Sequence, residues 1–152
     1  YFLNSRFKQV NEIRGSNLTT VQDRTIYEDA YIFAANLHRS GHITERDYQS
    51  YLDIFNSMIN FVQPPDLLIY LKADIPKLVS QIQKRGRDFE DAIRLDYLKN
   101  LNHHYEDWIG NYKEGKLLLI DVNHLDFVER IEDFSFIVNK IDLEVNNLFD
   151  QG

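Results

Sequence analysis

The amino-acid sequence predicts an α/β domain with a parallel sheet. Two nearly continuous apolar runs, residues 66–71 and 117–122, are typical of strands that are buried on both faces. Segments with apolar residues at helical spacing alternate with these runs, which favours parallel strands joined by helices. A third extended run, residues 19–23, is rich in β-branched residues and predicts a further strand.

Length and composition limit the class of protein. The 152 residues suit one domain, 1–152, and a hydrophobic content of 43% suffices for a core. No run of eighteen apolar residues occurs, so no transmembrane helix is expected, and no signal peptide is visible. The absence of Cys excludes a disulfide framework and fits the cytoplasm. A net charge of −7 argues against binding to a nucleic acid polymer or a membrane.

The first half of the chain predicts three helices around the strand at 19–23. Residues 1–12 have helical spacing but no N-cap, which predicts a fragment that begins inside a helix. A second helix is expected at 26–38. A third is expected at 44–62, where Thr44-Glu45-Arg46-Asp47 resembles a capping box. This third helix carries an apolar stripe of Tyr48, Tyr51, Leu52, Phe55, Met58, Ile59 and Val62. Either core packing or a partner interface would explain the stripe.

The second half continues the alternation of strands and helices. After the strand at 66–71, Asp74 is expected to cap a helix that ends near Lys84. Another helix is predicted at 95–108, followed by the strand at 117–122. A closing helix is expected at 125–148.

Polar side chains gather where the strand at 19–23 meets the next helix. Asp23 and Arg24 follow that strand, and α/β enzymes present polar groups at this end of a strand. Asp29 and Phe33 are four residues apart, so a helix places them on one face. Asp29 can accept hydrogen bonds from an amino group, and Phe33 offers a flat apolar surface. The alternative is a salt bridge at the strand end followed by a core-packing helix.

A cationic turn, Arg85-Gly86-Arg87, is a second candidate site. Two guanidiniums on either side of a flexible Gly can close over phosphate oxygens, which Arg matches with two parallel hydrogen bonds. The alternative is a solvated helix end, where cations interact favourably with the helix dipole.

These two segments resemble the deoxynucleoside kinase family. The family's Asp/Glu-Arg-Ser/Thr motif is similar to Asp23-Arg24-Thr25, followed by Tyr27, Asp29 and Tyr31-Ile32-Phe33-Ala34. A second family block is similar to Arg85-Gly86-Arg87 with Glu90, and the resemblance runs from Tyr1 to about Phe127. It implies a P-loop kinase-like fold, a three-layer parallel sheet flanked by helices, here missing the first strands.

The resemblance also implies roles in substrate binding. Arg6 matches an arginine that reads the edge of the nucleobase together with the aspartate at Asp29. Phe33 matches an aromatic residue that stacks on the base. Glu90 matches a residue that binds the sugar 3′-hydroxyl.

Further matches imply roles in catalysis and in binding ATP. Asp23 matches the acidic residue near Mg²⁺, and Arg24 matches the arginine that contacts the reacting phosphate. Arg85 and Arg87 match lid residues that close over the phosphates of ATP, although Gln81 stands where the family often has one more arginine. Asp126-Phe127 resembles, with one additional residue before it, the loop that holds the adenine of ATP.

One family element has no match in the sequence. The 152 residues contain no G-x-x-x-x-G-K-S/T phosphate loop. In the family, this loop and the general base precede the segment that matches Tyr1. The sequence is therefore expected to be the C-terminal two-thirds of an enzyme, with the P-loop and general base upstream, and to be inactive by itself.

The implied function is transfer of the γ-phosphoryl group of ATP to the 5′-hydroxyl of a deoxynucleoside, with Mg²⁺. Deoxyadenosine or deoxyguanosine is the expected substrate, and deoxycytidine is the alternative. A non-catalytic nucleotide-binding dimerisation module is the rival from another class. The resemblance further implies a homodimer through helices 1–14 and 44–62.

Overall fold

The computed structural model describes residues 2–86 and 95–149, which fall into two compact units. The first unit contains the described residues of Tyr1–Gln63 and Asp96–Asn111, and the second contains those of Pro64–Leu95 and Tyr112–Gly152. Helices and a parallel two-stranded sheet confirm the predicted α/β class. No helix in the described ranges is long and apolar enough to cross a membrane.

The first unit is built from helices. Its elements are α1 (Phe2–Arg14), α2 (Ile26–Glu28), a π-helix (Asp29–Ala34), α3 (Ala35–Arg39), α4 (Glu45–Ile59) and α6 (Leu95–Gly110). The helices expected near the start of the chain, at 44–62 and at 95–108 are thus present.

The prediction of a strand at residues 19–23 is wrong. This segment has no regular secondary structure, and Val21 is 95% exposed. An extended segment becomes a strand only when its backbone N–H and C=O groups pair with a neighbour. The only two strands among the described residues pair with each other, so the β-branched pattern of 19–23 is not sufficient to form a ladder.

The helix expected at 26–38 is present, but its centre is not a regular α-helix. α2, the π-helix and α3 follow one another without a gap, and the π-helix covers Asp29–Ala34. The apolar pattern of this segment does not distinguish the wider i→i+5 turn from a regular turn. π-helical turns are rare in proteins, and a large share of those that are found lie at functional sites.

The apolar stripe of α4 packs inside the first unit. Phe55 is 0% exposed. The centroid of its ring lies 5.3 Å from that of Tyr31 and 6.5 Å from that of Tyr27, and the ring is edge-on to both. Thr44 caps α4 by accepting a hydrogen bond from the backbone N–H of Asp47 at 3.2 Å. Core packing, one of the two explanations of the stripe, is therefore what the structure shows for Phe55.

The second unit contains the sheet. Its elements are β1 (Leu68–Lys72), α5 (Ile75–Arg85), β2 (Leu117–Asp121) and α7 (Ile131–Phe149). β1 and β2 are parallel, with Leu68 opposite Leu117 and Lys72 opposite Asp121. The core of this unit is a cluster of Ala73, Ile120, Val122 and Ile137.

Two expectations for the second unit need correction. Asp74 occupies the N-cap of α5, but its side chain makes no capping bond. Its backbone N–H instead donates to Asn123 Oδ1 at 2.8 Å. The closing helix begins at Ile131, six residues later than expected, and isolated turn bonds such as that from the Arg130 N–H to the Asp126 carbonyl precede it in the sequence. The apolar residues Leu125 and Phe127 pack against the core from this turn region, which explains their helix-like pattern.

The aromatic cluster around Phe55 should dominate the stability of the first unit. Phe55→Ala is expected to lower the free energy of unfolding by about 3–5 kcal/mol, because it leaves a cavity between three helical segments. Phe134→Ala is the matched control, since it makes the same change on α7 at a residue that is 49% exposed. Urea unfolding followed by circular dichroism measures both changes. Equal losses for the two variants would contradict this account of the core.

Candidate functional site

Arg6 on α1 and Asp29 at the start of the π-helix form an ion pair. Arg6 Nε lies 3.3 Å from Asp29 Oδ2, and the two side chains are 25% and 15% exposed. Arg6 Nη1 also reaches the backbone carbonyl of Asp23 at 3.5 Å. The structure thus brings together the two residues that the resemblance assigns to the edge of the nucleobase.

Two glutamines that the sequence analysis did not single out orient Arg6. Gln9, one helical turn further along α1, accepts from Arg6 Nη1 at 3.1 Å through its Oε1 atom. The same oxygen accepts from Gln22 Nε2 at 3.3 Å. The spacing of Arg6 and Gln9 was a usable signal, because residues three apart on a helix are neighbours. The contact with Gln22 depends on tertiary structure, so the sequence contained no usable signal for it.

Burial, more than the neighbouring cations, controls the charge of Asp29. Burial raises the pKa of the Asp29 carboxyl above its usual range, although the positive charges of Arg6 and Arg24 act in the opposite direction. The phenol of Tyr51 on α4 lies within the field of this carboxylate. Burial, followed by the charge of Asp29, raises the pKa of Tyr51 to about 12.

Arg24 adopts a left-handed backbone conformation and lies against Phe33. Its φ angle is 64°, which is unusual for a residue with a side chain. The Cζ atom of its guanidinium stands 4.5 Å from the centroid of the Phe33 ring. A guanidinium stacked in this way keeps the N–H groups at its edge available for an anion.

A capping box joins this turn to the helix that follows. Thr25 is the N-cap of α2 and accepts from the backbone N–H of Tyr27 at 3.3 Å. Glu28 Oε2 accepts in return from the backbone N–H of Thr25 and from Thr25 Oγ1, the latter at 2.7 Å. The sequence analysis missed this box, although Thr25-Ile26-Tyr27-Glu28 carries the S/T-x-x-E pattern.

Glu28 is a buried carboxylate within this cluster. It is 8% exposed, and burial raises its pKa despite the hydrogen bonds from Thr25 and the charge of Arg24. Tyr105 on α6 faces the same group of charges. Burial, followed by the negative charge of Glu28, raises the pKa of Tyr105 to about 12.

Asp23 is the residue predicted to lie near Mg²⁺. It is exposed, and among the described residues no group of three or more His, Cys, Asp or Glu side chains could hold a metal ion. Mg²⁺ in phosphoryl-transfer sites is commonly bound by one or two carboxylates, with water and substrate phosphates completing its shell. A single exposed carboxylate fits that kind of donor set.

The second unit contains the residues predicted to bind ATP. Asp126 Oδ2 accepts from Lys84 Nζ, at the end of α5, at 2.8 Å, and this hydrogen bond lowers the pKa of Asp126. The backbone N–H of Asp126 donates to Asp133 Oδ2 at 2.7 Å. Phe127 packs against the core of the unit. The Asp126 carboxylate and N–H are thus both engaged within the second unit.

The cationic turn is described only in part. α5 ends at Arg85, which is exposed, and Gly86 follows in the left-handed conformation with a φ angle of 60°. Glycine adopts this conformation at little cost, which explains why the helix ends here. Arg87 and Glu90 lie outside the described residues, so their assigned roles stay predictions.

The raised pKa of Asp29 predicts how stability depends on pH. The folded protein holds the Asp29 proton more tightly than the unfolded chain does, so ionising this carboxyl costs stability. The cost is absent below the ordinary pKa of Asp and is complete above the raised pKa. The free energy of unfolding of the wild type minus that of Asp29→Asn should therefore fall as the pH rises through this interval. Asp53→Asn, at an exposed site on α4, is the control, and urea titrations at several pH values measure both. A difference that grows with pH would show that the charge of Arg6 outweighs burial.

Comparison with known protein families supports one assignment. The family model described as deoxynucleoside kinase matches residues 1–146. Among curated relatives, a deoxyadenosine kinase of Dictyostelium discoideum is 39% identical over 129 residues, which are 85% of this chain and 52% of the relative. A deoxyadenosine/deoxycytidine kinase of Bacillus subtilis is 33% identical over 143 residues, which are 93% of this chain and 66% of the relative.

Solved structures agree with these matches. A deoxyadenosine kinase from M. mycoides with bound dATP superposes with a TM-score of 0.75 at 28% identity, over 93% of this chain and 71% of that one. The chain spans about half to two-thirds of the length of the two curated relatives above. Because the family model covers almost the whole sequence, the chain belongs to the deoxynucleoside kinase family.

Proposed function

We propose that the protein transfers the γ-phosphoryl group of ATP to the 5′-hydroxyl of a deoxynucleoside, with deoxyadenosine or deoxyguanosine as the preferred acceptor. The observation that carries this proposal is the pair of Arg6 and Asp29, 3.3 Å apart and largely buried, in a chain of this family. The pair offers a carboxylate acceptor and a guanidinium donor side by side, which is what the edge of an amino-bearing base requires.

The chemistry of the bases argues for a substrate with an exocyclic amino group. The Asp29 carboxylate accepts from an amino group, while Arg6 donates to a ring nitrogen or a carbonyl. Thymine has no exocyclic amino group, so it would leave the partly buried carboxylate of Asp29, which accepts from Arg6, under-satisfied. Such a group typically costs about 1–3 kcal/mol.

Phosphoryl transfer in this proposal depends on positioning and on charge stabilisation. Arg24 would contact the reacting phosphate, with its guanidinium held on the ring of Phe33 while Phe33 also stacks on the base. Asp23 would hold Mg²⁺, which neutralises the charge that develops on the transferring group. Arg85 and Arg87 would close over the phosphates of ATP.

The remaining assigned residues would complete the two substrate sites. Glu90 would bind the sugar 3′-hydroxyl. Asp126 and Phe127 would contribute to the adenine site of ATP. The Asp126 carboxylate is bonded to Lys84, and its N–H and carbonyl are bonded to Asp133 and Arg130, so a contact between Asp126 and adenine would replace one of these bonds.

Deoxycytidine is a second candidate substrate. Cytosine also carries an exocyclic amino group, so the same pair can serve it. Curated relatives include a deoxyadenosine/deoxycytidine kinase of Bacillus subtilis and a deoxycytidine kinase of Rattus norvegicus, the latter 36% identical over 131 residues. A non-catalytic module that binds nucleotides is the rival from another class, and the following assay distinguishes it by its lack of turnover.

The base preference tests the proposal. With the full-length gene product, kcat/KM for thymidine should be at least about tenfold lower than for the better of deoxyadenosine and deoxyguanosine, because Asp29 is left under-satisfied. Steady-state assays with each deoxynucleoside and ATP measure the ratio. A wild type that prefers thymidine would contradict the role of the pair, and no turnover with any deoxynucleoside would support the binding module.

The variant that removes the pair is the control for this measurement. Arg6→Met together with Asp29→Ala should narrow the gap between thymidine and the purine nucleosides. Lys8→Met together with Glu12→Ala removes an exposed pair on α1, 3.7 Å apart, and should leave the preference unchanged.

We further propose that the protein forms a homodimer through α1 and α4, within the helices 1–14 and 44–62 that the resemblance implied. Both helices expose large apolar side chains, since Phe2 is 77% and Ile54 is 55% exposed. A second copy would bury these side chains. Phe55, the next residue of α4 and about 100° away around the helix axis, is occupied in the core and is not available for a partner.

Light scattering of the full-length gene product at micromolar concentration tests the dimer. We expect the mass of a dimer for the wild type and a shift toward the monomer for Ile54→Glu, since a charge cannot be buried there without cost. Leu143→Glu, at an exposed position on α7 in the second unit, is the control and should leave the mass unchanged. A monomeric wild type would refute the proposal.

A further inference from the structure

We propose that Glu28 is a positioning residue: its hydrogen bonds to Thr25 fix the left-handed backbone of Arg24 and so hold the Arg24 guanidinium on the ring of Phe33. This inference rests on the proposed function, because it concerns how the arginine assigned to the reacting phosphate is held in place.

The first step is the backbone of Arg24. A φ angle of 64° is disfavoured for a residue with a side chain. Such a conformation persists only where the surrounding structure determines it, and it is found preferentially at functional sites. The groups that fix the residue after Arg24 are therefore the groups that maintain this turn.

The second step is the anchor itself. Glu28 Oε2 accepts two hydrogen bonds from Thr25, one from the backbone N–H that directly follows Arg24 and one from Oγ1 at 2.7 Å. Glu28 is 8% exposed, so water competes little for these bonds. The peptide between Arg24 and Thr25 is thus held by a buried carboxylate on the first turn of α2.

The third step is charge. The negative charge of the Glu28 carboxylate attracts the guanidinium of Arg24. The same carboxylate is repelled by the negative charge of Asp29, and the phenol of Tyr105 faces it from α6. The attraction acts on the guanidinium that lies 4.5 Å from the centre of the Phe33 ring. Glu28 therefore holds Arg24 in two ways, through the peptide on its C-terminal side and through its charge.

The consequence is kinetic. A cation displaced from its productive position by about 1 Å can cost on the order of a hundredfold in rate. With the full-length gene product, Glu28→Met, which removes both the acceptor oxygens and the charge, and Thr25→Val should each lower kcat by at least about tenfold while the KM for the deoxynucleoside changes less than about threefold. Neither substitution touches the pair of Arg6 and Asp29, so binding of the base should persist.

Matched variants separate positioning from general destabilisation. Thr25→Ser keeps the hydroxyl and should restore kcat to within about threefold of the wild type. Thr44→Val removes the equivalent N-cap bond from α4 and should cost similar stability, but it should leave kcat unchanged. The double variant Thr25→Val/Glu28→Met should be no slower than the slower single variant, because both changes break the same contact.

A spectroscopic measurement tests the geometry without turnover. The side-chain methylene protons of Arg24 should have upfield NMR shifts in the wild type, because the guanidinium end of the chain lies over an aromatic ring. Phe33→Leu removes the ring and gives the reference shifts. Glu28→Met should move the Arg24 resonances toward that reference.

The outcomes are distinguishable. Unchanged Arg24 shifts in Glu28→Met would overturn the positioning role, whatever the activity. A fall of kcat in Thr44→Val as large as that in Thr25→Val would also overturn it, since loss of any cap would then suffice. A wild type without turnover would refute the proposed function, while the NMR comparison would still decide the role of Glu28.

Discussion

The ion pair between Arg6 and Asp29 is the interaction on which the site of the first unit depends. It joins α1 to the start of the π-helix, and it draws the carbonyl of Asp23 toward α1 as well. Taking two charges out of water is costly, and a partly buried pair repays that cost only if its remaining hydrogen-bonding groups are satisfied. Gln9 satisfies one Arg6 nitrogen, but burial still raises the pKa of Asp29. Under the proposed function, a ligand that donates to Asp29 would remove part of this existing cost.

The regular elements were predictable because their signals are local. The two apolar runs became β1 and β2 within two residues of the expected bounds. The expectation that both faces are buried is wrong for this two-stranded sheet, since Leu71 and Leu119 are 40% and 47% exposed. The N-cap of α4 at Thr44 was predictable because a capping pattern is satisfied within four residues. The prediction of a strand at 19–23 failed because a strand needs a neighbouring strand to pair with, and β-branched residues do not provide one.

The site was predictable only in part. Resemblance to the family, rather than spacing, suggested that Arg6 would meet Asp29 across 23 residues of sequence, and the two side chains do meet. The left-handed conformation of Arg24, its stacking on Phe33 and the burial of Glu28 could not be predicted, since each depends on how α2 and the π-helix pack. The pattern Thr25 to Glu28 shows that a local signal was present but that its consequence for Arg24 was not visible in it.

The π-helix has a consequence for how this segment tolerates changes in length. An i→i+5 turn accommodates one residue more than a regular turn, and residues of a regular helix are separated by about 100° around the axis. Deleting a single residue between Asp29 and Ala34 would restore a regular helix and rotate one end of the segment relative to the other. Asn36, which is 1% exposed, and the apolar residues beside it would then lose their alignment with the core whenever Asp29 kept its contact with Arg6. The number of residues in this segment is thus as strongly constrained as their identity.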